Sequence, residues 1–265
     1  MEVFQKFKNE SNKWELINNS INVFENEYIR ISTQSIFQQE KYKNKSILLV
    51  GGGPSTIDRS WEKLKVDFIW TCNNFYNNKK LDNKKIDLIS ISNRVELNSK
   101  NFLSHIDNVD QIFFEPIHFH EKLRSQEFNI FYNNYLNRIN FFDTKFQNKS
   151  GTIARLAVLA LLTGAKDIYI VGLDGHPWSK GFTQRHAFRP GWKWGWDERK
   201  NKPEAEWDYK VVKKDWDDMA IYLKKIADLY NINLYNLGEG LEYNMFSEYS
   251  SNNFKLPKEI LKIVK

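Results

Sequence analysis

KSILLVGGGPSTIDRSWEKLKVDFIWTCNNFY, residues 45–76, decides the fold because it contains a complete βαβ unit. It opens with a short apolar run, 46–50, with the length and branched side chains of a buried parallel strand. Three glycines at 51–53 follow directly, and the pattern then predicts a helix from residue 57 to about residue 64. A second apolar run at 67–72 predicts the next strand, which leads into two asparagines.

The glycine-rich turn after the first strand permits two interpretations. Glycine lets the backbone approach a ligand, and the amides that open the following helix can face a phosphate. Pro54 suits the start of that helix, since its missing N–H would have no helical partner there. The turn lacks both the G-x-G-x-x-G pattern and the lysine of a P-loop, so it predicts either a nucleotide site or a tight packing turn. Asn73 and Asn74 favour the nucleotide site, because ligands bind at the carboxyl ends of strands in open parallel sheets.

Short apolar runs continue to alternate with helical segments along the chain, which predicts an α/β fold. The strand ends are expected at Gly51, Cys72, Ile91, Val171 and Asn236, with a further strand at 111–114. Residues 152–163 predict a buried helix and 215–230 an amphipathic one, while 121–145 are interpreted as helices that cover the sheet. The predicted fold class is a Rossmann-like, mostly parallel sheet with helices on both faces and an aromatic-rich lid.

The chain divides into three parts. Residues 1–44 form a polar N-terminal arm whose apolar residues have a partly helical spacing. Residues 45–250 form a Rossmann-like domain with a predicted lid at 176–208. Residues 251–265 form a basic tail in which leucine and isoleucine alternate with lysine. We interpret this tail as a solvated terminus rather than as an amphipathic helix.

Composition limits the classes of function. Of the 265 residues, 41% are hydrophobic, which is enough for a large core, and the net charge of +6 favours an anionic partner. The lysines are scattered among asparagines, so this charge does not argue for nucleic acid. The single cysteine, Cys72, excludes an intramolecular disulfide and a multi-cysteine zinc site, and it fits a reducing compartment. No apolar run reaches the ~18 residues of a membrane span. We expect a cytoplasmic protein, with peripheral contact at the inner membrane and self-association left open.

Polar residues follow two other strands of the predicted sheet and open its buried helix. Asn93 comes after the third strand and Asp174 after the fifth. Ser150 is a good N-cap for the buried helix, and with Gly151 it gives that helix an N-terminus suited to an anion. Taken alone, these two residues are explained better by a plain helix cap.

Residues 176–208 differ in character from the rest of the chain. They contain five of the nine tryptophans, namely Trp178, Trp192, Trp194, Trp196 and Trp207. A long aromatic, basic loop after the end of a strand is typical of an active-site lid. An Ω-loop packed on its own tryptophans is the structural alternative, and a nucleic-acid-binding loop is a weaker one. His186 within the lid, followed by His176 at its root, is the candidate general base, because histidine titrates near neutral pH.

Five motifs carry a resemblance to a known family through their order and spacing. They are ILLVGGGPS at 47–55, TCNNFY at 71–76, KSG at 149–151, LLTGAKDIYIVGLD at 161–174 and NINLYNL at 231–237. Together they resemble the bacterial CMP-sialic-acid-dependent sialyltransferases of the lipooligosaccharide type and the related motility-associated flagellin glycosyltransferases. The resemblance covers about residues 45–76 and 146–240.

The resemblance implies that residues 45–250 are a Rossmann-type nucleotide-sugar-binding domain with a lid. This domain would transfer a nonulosonic acid from a CMP-activated donor to a hydroxyl of a surface glycan or glycoconjugate. It implies inversion at the anomeric centre, no metal and no cofactor apart from the donor substrate. Carried over by position, the phosphate site would comprise Gly52, Gly53, Pro54 and Ser55, with Asn73 by the cytidine and phosphate. Asn93 would lie by the nucleotide or sugar. The donor carboxylate would bind Ser150 and Gly151, and the cytidine pocket would include Asp174.

Three departures from the family pattern concern the chemistry. Gly52 stands where the family usually has asparagine, and Gln147-Asn-Lys-Ser-Gly replaces its Arg-x-Thr-Ser-Gly. The family's catalytic histidine corresponds to the region around Lys214, which has no histidine. The base is therefore assigned to the lid histidines, and an acidic residue such as Asp215 or Asp217 is the alternative.

Two other functions compete with the glycosyltransferase. The GGGPS turn and LDG also resemble archaeal-type pterin pyrophosphokinases, which bind ATP and Mg²⁺; that chemistry requires clustered carboxylates, and Asp174 has few acidic neighbours. A non-catalytic nucleotide- or glycan-binding module would keep the polar strand ends but lack turnover, which the missing histidine near Lys214 allows. His118 and His120 have the spacing to flank a metal, but no carboxylate or cysteine cluster accompanies them, so we expect no metal.

Overall fold

The computed structural model describes residues 22–25, 29–33, 39–92, 95–115, 122–123, 125–144, 151–174, 187, 219–238 and 256–264. The strands are β1 (Asn22–Glu25), β2 (Ile29–Thr33), β3 (Ser46–Val50), β4 (Phe68–Cys72), β5 (Ile86–Ile91), β6 (Val109–Phe114), β7 (Ile139–Thr144), β8 (Asp167–Val171) and β9 (Asn233–Asn236). They form one sheet in the order β1-β2-β7-β6-β5-β4-β3-β8-β9. The seven neighbouring strands β7, β6, β5, β4, β3, β8 and β9 run parallel to one another. β2 pairs antiparallel with β7, and β1 pairs antiparallel with β2.

Helices cover both faces of this sheet. They are α1 (Ser55–Asp58), α2 (Lys100–Ile106), α3 (Gln126–Tyr135), α4 (Gly151–Leu162), α5 (219–230) and α6 (Lys258–Val264). Successive residues of β3 belong to two different hydrophobic clusters, because side chains alternate across a strand. Ile47 and Leu49 pack with α4 and α5, whereas Leu48 and Val50 pack with α2, α3 and α6. The parallel strands are thus buried on both faces, and the predicted parallel sheet with helices on both faces is confirmed. Of the predicted lid at 176–208, the structure describes residue 187 alone.

The strand ends lie close to where the apolar runs predicted them. β4, β5, β8 and β9 end at the predicted residues, and β3 ends one residue earlier than expected, at Val50. The buried helix predicted at 152–163 is α4, and the described part of the helix predicted at 215–230 is α5. These elements were predictable because strands buried on both faces are continuous apolar runs bounded by polar residues.

Two parts of the sheet contradict the sequence interpretation. Residues 121–145 are not only helical: Ile139–Thr144 forms β7, and all six of its residues are buried. The N-terminal arm contributes β1 and β2, although the spacing of its apolar residues is partly helical. β2 pairs with β7 along its whole length, so tertiary pairing decides the conformation of this segment.

The helix predicted from residue 57 to residue 64 is also wrong. α1 is a single turn, Arg59 is extended, and a separate 3₁₀ turn follows at Trp61–Lys63. The Trp61 indole is fully buried, and its Nε1 donates to the Thr56 carbonyl at 2.7 Å. That bond uses the carbonyl that would otherwise accept from the amide four residues on, so burial of the indole ends the helix.

The C-terminal tail is part of the fold. α6 packs against the 3₁₀ turn Trp61–Lys63, and Val264 is buried. The Ser60 amide donates to the Val264 carbonyl at 3.2 Å. The interpretation of the tail as a solvated terminus is therefore wrong for residues 256–264.

Candidate functional site

The candidate site lies where the order of the parallel strands reverses. β3 pairs with β4 on one side and with β8 on the other. From β3 the chain proceeds through β4, β5, β6 and β7 in one direction, and it resumes with β8 and β9 on the opposite side. Ligands of open α/β sheets bind at the carboxyl ends of strands at such a reversal. Gly51, Asn73 and Asp174 follow β3, β4 and β8, so they share one rim, as predicted.

Three glycines form a close backbone contact at this rim, which we call the glycine junction: Gly51, Gly53 and Gly172. The Gly51 amide donates to the Val171 carbonyl at 2.8 Å, and the Gly53 amide donates to the Gly172 carbonyl at 3.0 Å. A Cβ on Gly53 would lie 2.6 Å from the Gly172 carbonyl oxygen. Packing of the two strand ends therefore requires Gly51 and Gly53, whatever the rim binds.

The buried carboxylate of Asp174 joins the glycine turn to the end of β8. Its Oδ2 accepts from the Ser55 amide at 2.7 Å, and the Ser55 hydroxyl accepts from the Gly172 amide at 2.9 Å. Burial raises the pKa of Asp174 to about 6, against the opposing effect of the Ser55 hydrogen bonds. The protein thus supplies its own anion to the amide that opens α1. A ligand phosphate at Ser55 would have to break these bonds.

Gly52 and Pro54 are half-buried and belong to the same turn. The Gly52 carbonyl accepts from the Ala187 amide at 2.8 Å. Ala187 is the described residue of the predicted lid, and His186 precedes it in the chain. The lid segment therefore contacts the glycine turn at this residue.

Asn73 adopts a left-handed backbone conformation with φ of 50°, and both polar atoms of its side chain form hydrogen bonds. Its Oδ1 accepts from the Ser92 amide at 2.8 Å, and its Nδ2 donates to the Thr152 hydroxyl at 3.3 Å. The side chain thus connects β4 with the end of β5 and with the first turn of α4. Asparagine tolerates this backbone conformation better than most residues.

A buried ion pair lies behind Asn73. Arg155 of α4 donates from Nε to Glu115 Oε1 at 2.8 Å and from Nη2 to Glu115 Oε2 at 2.6 Å. Both side chains are almost fully buried. Burial first and Glu115 second raise the pKa of the nearby Cys72 thiol to about 12, which the Arg155 charge only partly opposes. Cys72 is therefore a neutral thiol at physiological pH and a poor nucleophile.

Sequence reasoning missed Thr152, Arg155 and Glu115. One signal was available: Arg155 is the single charged residue of the apolar helix GTIARLAVLALL, and a charge in a buried helix requires a buried partner. The identity of that partner, 40 positions earlier in the chain, could not be inferred from the sequence.

The structure describes only some of the other predicted site residues. Asn93, Ser150, His176 and His186 lie outside the described residues, as do His118 and His120. Gly151 is exposed at the start of α4, and a Cβ added to it would have nothing within 4 Å. Within the described ranges, no group of three or more metal-ligating side chains could hold a metal ion, and no helix is long and apolar enough to cross a membrane.

No protein-family model matches the sequence, and a search of curated proteins found no significant match. Two solved structures of the sialyltransferase CstII from Campylobacter jejuni are similar to this chain. The complex with the substrate analogue CMP-3FNeuAc is 17% identical with a TM-score of 0.48, and the match covers 76% of this chain and 88% of CstII. The complex with cytidine-5'-monophosphate is 18% identical with a TM-score of 0.47, and the match covers 83% and 97% of the two chains. Similarity of this degree carries no conclusion about activity.

Proposed function

We propose that this protein is a glycosyltransferase that moves a nonulosonic acid from a CMP-activated donor to a hydroxyl of a surface glycan or glycoconjugate. The observation that carries the proposal is the convergence of three elements on one rim: the turn at Gly52–Pro54, Asn73 and the start of α4. The motifs that resemble those of sialyltransferases fall on these three elements. Their contacts support one shared site, since Asn73 bonds to Thr152 and Gly51 packs near Ile153.

The proposed reaction needs few groups from the protein. The bond between the anomeric carbon and the phosphate oxygen breaks, CMP leaves, and the acceptor oxygen bonds to the opposite face of that carbon. Amide donors at the rim, among them the Asn73 side chain, would stabilise the charge that grows on the departing phosphate. Gly52 and Pro54 would allow the donor to approach the backbone, and Ser150 and Gly151 would bind the donor carboxylate. This scheme is metal-independent.

The acceptor hydroxyl must lose a proton, and we assign its removal to His186, with His176 as the second candidate. Histidine is suited to this step because its ordinary pKa lies near neutral pH. Support for His186 comes from Ala187, its neighbour in the chain, which bonds to the Gly52 carbonyl. The lid segment is thereby linked to the turn at which the donor would bind.

Nucleotide binding provides the first test. CMP at about 100 times its dissociation constant should stabilise the fold by roughly 2.7 kcal/mol. For a chain of this size, that corresponds to a rise in Tm of roughly 5–10 °C. Asn73→Gly removes the amide while suiting the left-handed backbone, so it should reduce the shift. Asn83→Gly is the matched control, since Asn83 has a φ of 60° at an exposed turn. Stabilisation by ATP with Mg²⁺ but not by CMP would instead favour the pyrophosphokinase.

Turnover provides the second test. His186→Ala should abolish sugar transfer from CMP-sialic acid to a glycan acceptor while CMP still raises Tm, because the base takes part in chemistry rather than in binding. His176→Ala is the paired variant. Full transfer by both variants would reject a lid histidine as the base and direct attention to Asp215 or Asp217. CMP binding with no transfer by the wild-type protein would favour the non-catalytic module.

A further inference from the structure

The ion pair between Arg155 and Glu115 lies at the base of the candidate site. Removing two charges from water carries a desolvation cost, and apolar residues of similar size often stabilise a core at least as well. The guanidinium is held in a bidentate geometry at the end of β6, where Glu115 follows Phe114. The same guanidinium also donates to a neighbouring hydroxyl, which connects the ion pair to the candidate site.

Thr152 carries that hydroxyl and connects the ion pair to the rim. Its oxygen accepts from Arg155 Nη2 at 3.4 Å and from Asn73 Nδ2 at 3.3 Å. A threonine hydroxyl has two lone pairs and one proton, so these two bonds leave the proton to be donated. Within the described parts of the chain, neither the Thr152 hydroxyl proton nor the second Asn73 amide proton has an acceptor. Both side chains are half-buried.

We propose that Thr152 and Asn73 form a pair of hydrogen-bond donors for an anionic oxygen of the sugar-nucleotide donor, and that Glu115 and Arg155 position this pair. The inference rests on the proposed function and adds Thr152 as a binding residue. Arg155 holds the Thr152 oxygen, which directs the hydroxyl proton away from the guanidinium. The Ser92 amide holds the Asn73 oxygen at 2.8 Å, which presents the amide nitrogen to Thr152 and to the ligand.

The anionic oxygen belongs either to the phosphate or to the carboxylate of the donor, and three probes distinguish them. Thr152→Val keeps the shape of the side chain and removes the hydroxyl that would donate the hydrogen bond. A hydrogen bond to a charged group lost in this way should weaken binding by about 10-fold or more. A loss for CMP but not for cytidine identifies the phosphate. A loss for CMP-sialic acid but not for CMP identifies the carboxylate.

A matched control exists on the same helix. Thr163→Val makes the same change just beyond the other end of α4, where the Thr163 hydroxyl donates to the Ala160 carbonyl at 2.7 Å. This variant should bind all three probes as the wild type does. Unchanged binding of every probe by Thr152→Val would overturn the proposal, as would equal losses in the two variants.

The positioning role of the ion pair needs variants that still fold. Glu115→Leu combined with Arg155→Met replaces the pair by apolar residues of similar size and should leave a folded protein. It should nevertheless bind CMP or CMP-sialic acid about as weakly as Thr152→Val does. Arg155→Lys keeps the charge but loses the two-pronged geometry, so it should give an intermediate loss. Wild-type affinity in the apolar double variant would show that the pair is only structural.

A readout without ligand separates this proposal from the proposed function. The side-chain amide signals of Asn73 in an NMR spectrum of the free protein should shift in Thr152→Val and in the apolar double variant, but not in Thr163→Val. If the wild-type protein binds neither CMP nor CMP-sialic acid, the proposed function is wrong, and so is the proposal that Thr152 and Asn73 bind a sugar nucleotide. The Asn73 signals still decide whether Glu115 and Arg155 position this side chain, and unshifted signals would reject that role.

Discussion

Gly172→Ala should destabilise the protein by about 3 kcal/mol or more, the sum of a strained backbone and an overpacked contact. Gly172 has a φ of +77°, a conformation that costs an alanine roughly 1–2 kcal/mol. A Cβ there would also contact Thr56 Oγ1 and would lie 2.7 Å from the Gly51 carbonyl carbon. Backbone atoms cannot rotate away as a flexible side chain can, so β3 and β8 would have to separate. Urea unfolding followed by circular dichroism measures the loss.

Two other glycines separate the contributions of backbone strain and crowding. Gly151 has the same φ of +77°, and an added Cβ would have nothing within 4 Å. Gly164 has a φ of +73°, and its Cβ would meet only Lys43 Cγ at 3.7 Å. Their alanine variants should lose only the strain energy, about 1–2 kcal/mol each. Equal losses at all three positions would mean that the close approach at the glycine junction contributes nothing to the effect of Gly172→Ala.

Asp174→Asn should remove a pH-dependent contribution of about 3 kcal/mol to the free energy of unfolding, at 1.36 kcal/mol for each of roughly two pKa units. The folded-state pKa of about 6 lies above the ordinary value of 3.8. Between these values the folded protein binds more protons than the unfolded chain, so stability falls as the pH rises through this window. The stability of Asp174→Asn relative to the wild type should therefore increase between pH 4 and pH 6 and stay constant above pH 7. Urea unfolding of both proteins at several pH values across this range measures the difference in their free energies of unfolding.

Asp67→Asn is the control for this pH series. The Ser46 amide and hydroxyl donate to the Asp67 carboxylate and lower its pKa below 3.8. Asp67 is therefore ionised in both the folded and unfolded states above about pH 5, and its contribution is lost only as the pH falls below its ordinary pKa. Its substitution should shift stability by a constant amount from pH 5 to pH 7. A constant difference for Asp174→Asn as well would disprove the raised pKa.

The apolar runs predicted the strands from β3 to β6 together with β8 and β9, but they missed β1, β2 and β7, and the difference has a physical reason. β3, β5 and β8 lie inside a parallel sheet, so burial on both faces makes them continuous apolar runs that end in polar residues. β7, with the sequence INFFDT, has polar residues among its apolar ones, and β2 pairs with it through residues more than 100 positions away. Such long-range pairing leaves little trace in the local pattern.

The candidate site was predictable in its position but not in its internal bonds. Strand ends marked Gly51, Asn73 and Asp174, because parallel strands bring their carboxyl ends to one edge. The two interpretations of the glycine turn could not be separated by sequence, since the need for Gly51 and Gly53 arises from contact with Gly172. The bond between Ser55 and Asp174 likewise joins residues that no local pattern connects.

The glycine junction also limits how early the sheet can close during protein synthesis. Ser55 and Asp174, which lie next to the junction on its two sides, are 119 positions apart in the chain. A ribosome that adds about 5–20 residues per second therefore needs on the order of ten seconds to proceed from the first to the second. During that interval β3 can pair with β4, but its opposite edge has no β8 to cover it. Exposed strand edges promote association between chains. The nascent protein therefore passes through a period in which one edge of its central strand is uncovered and can pair with another chain.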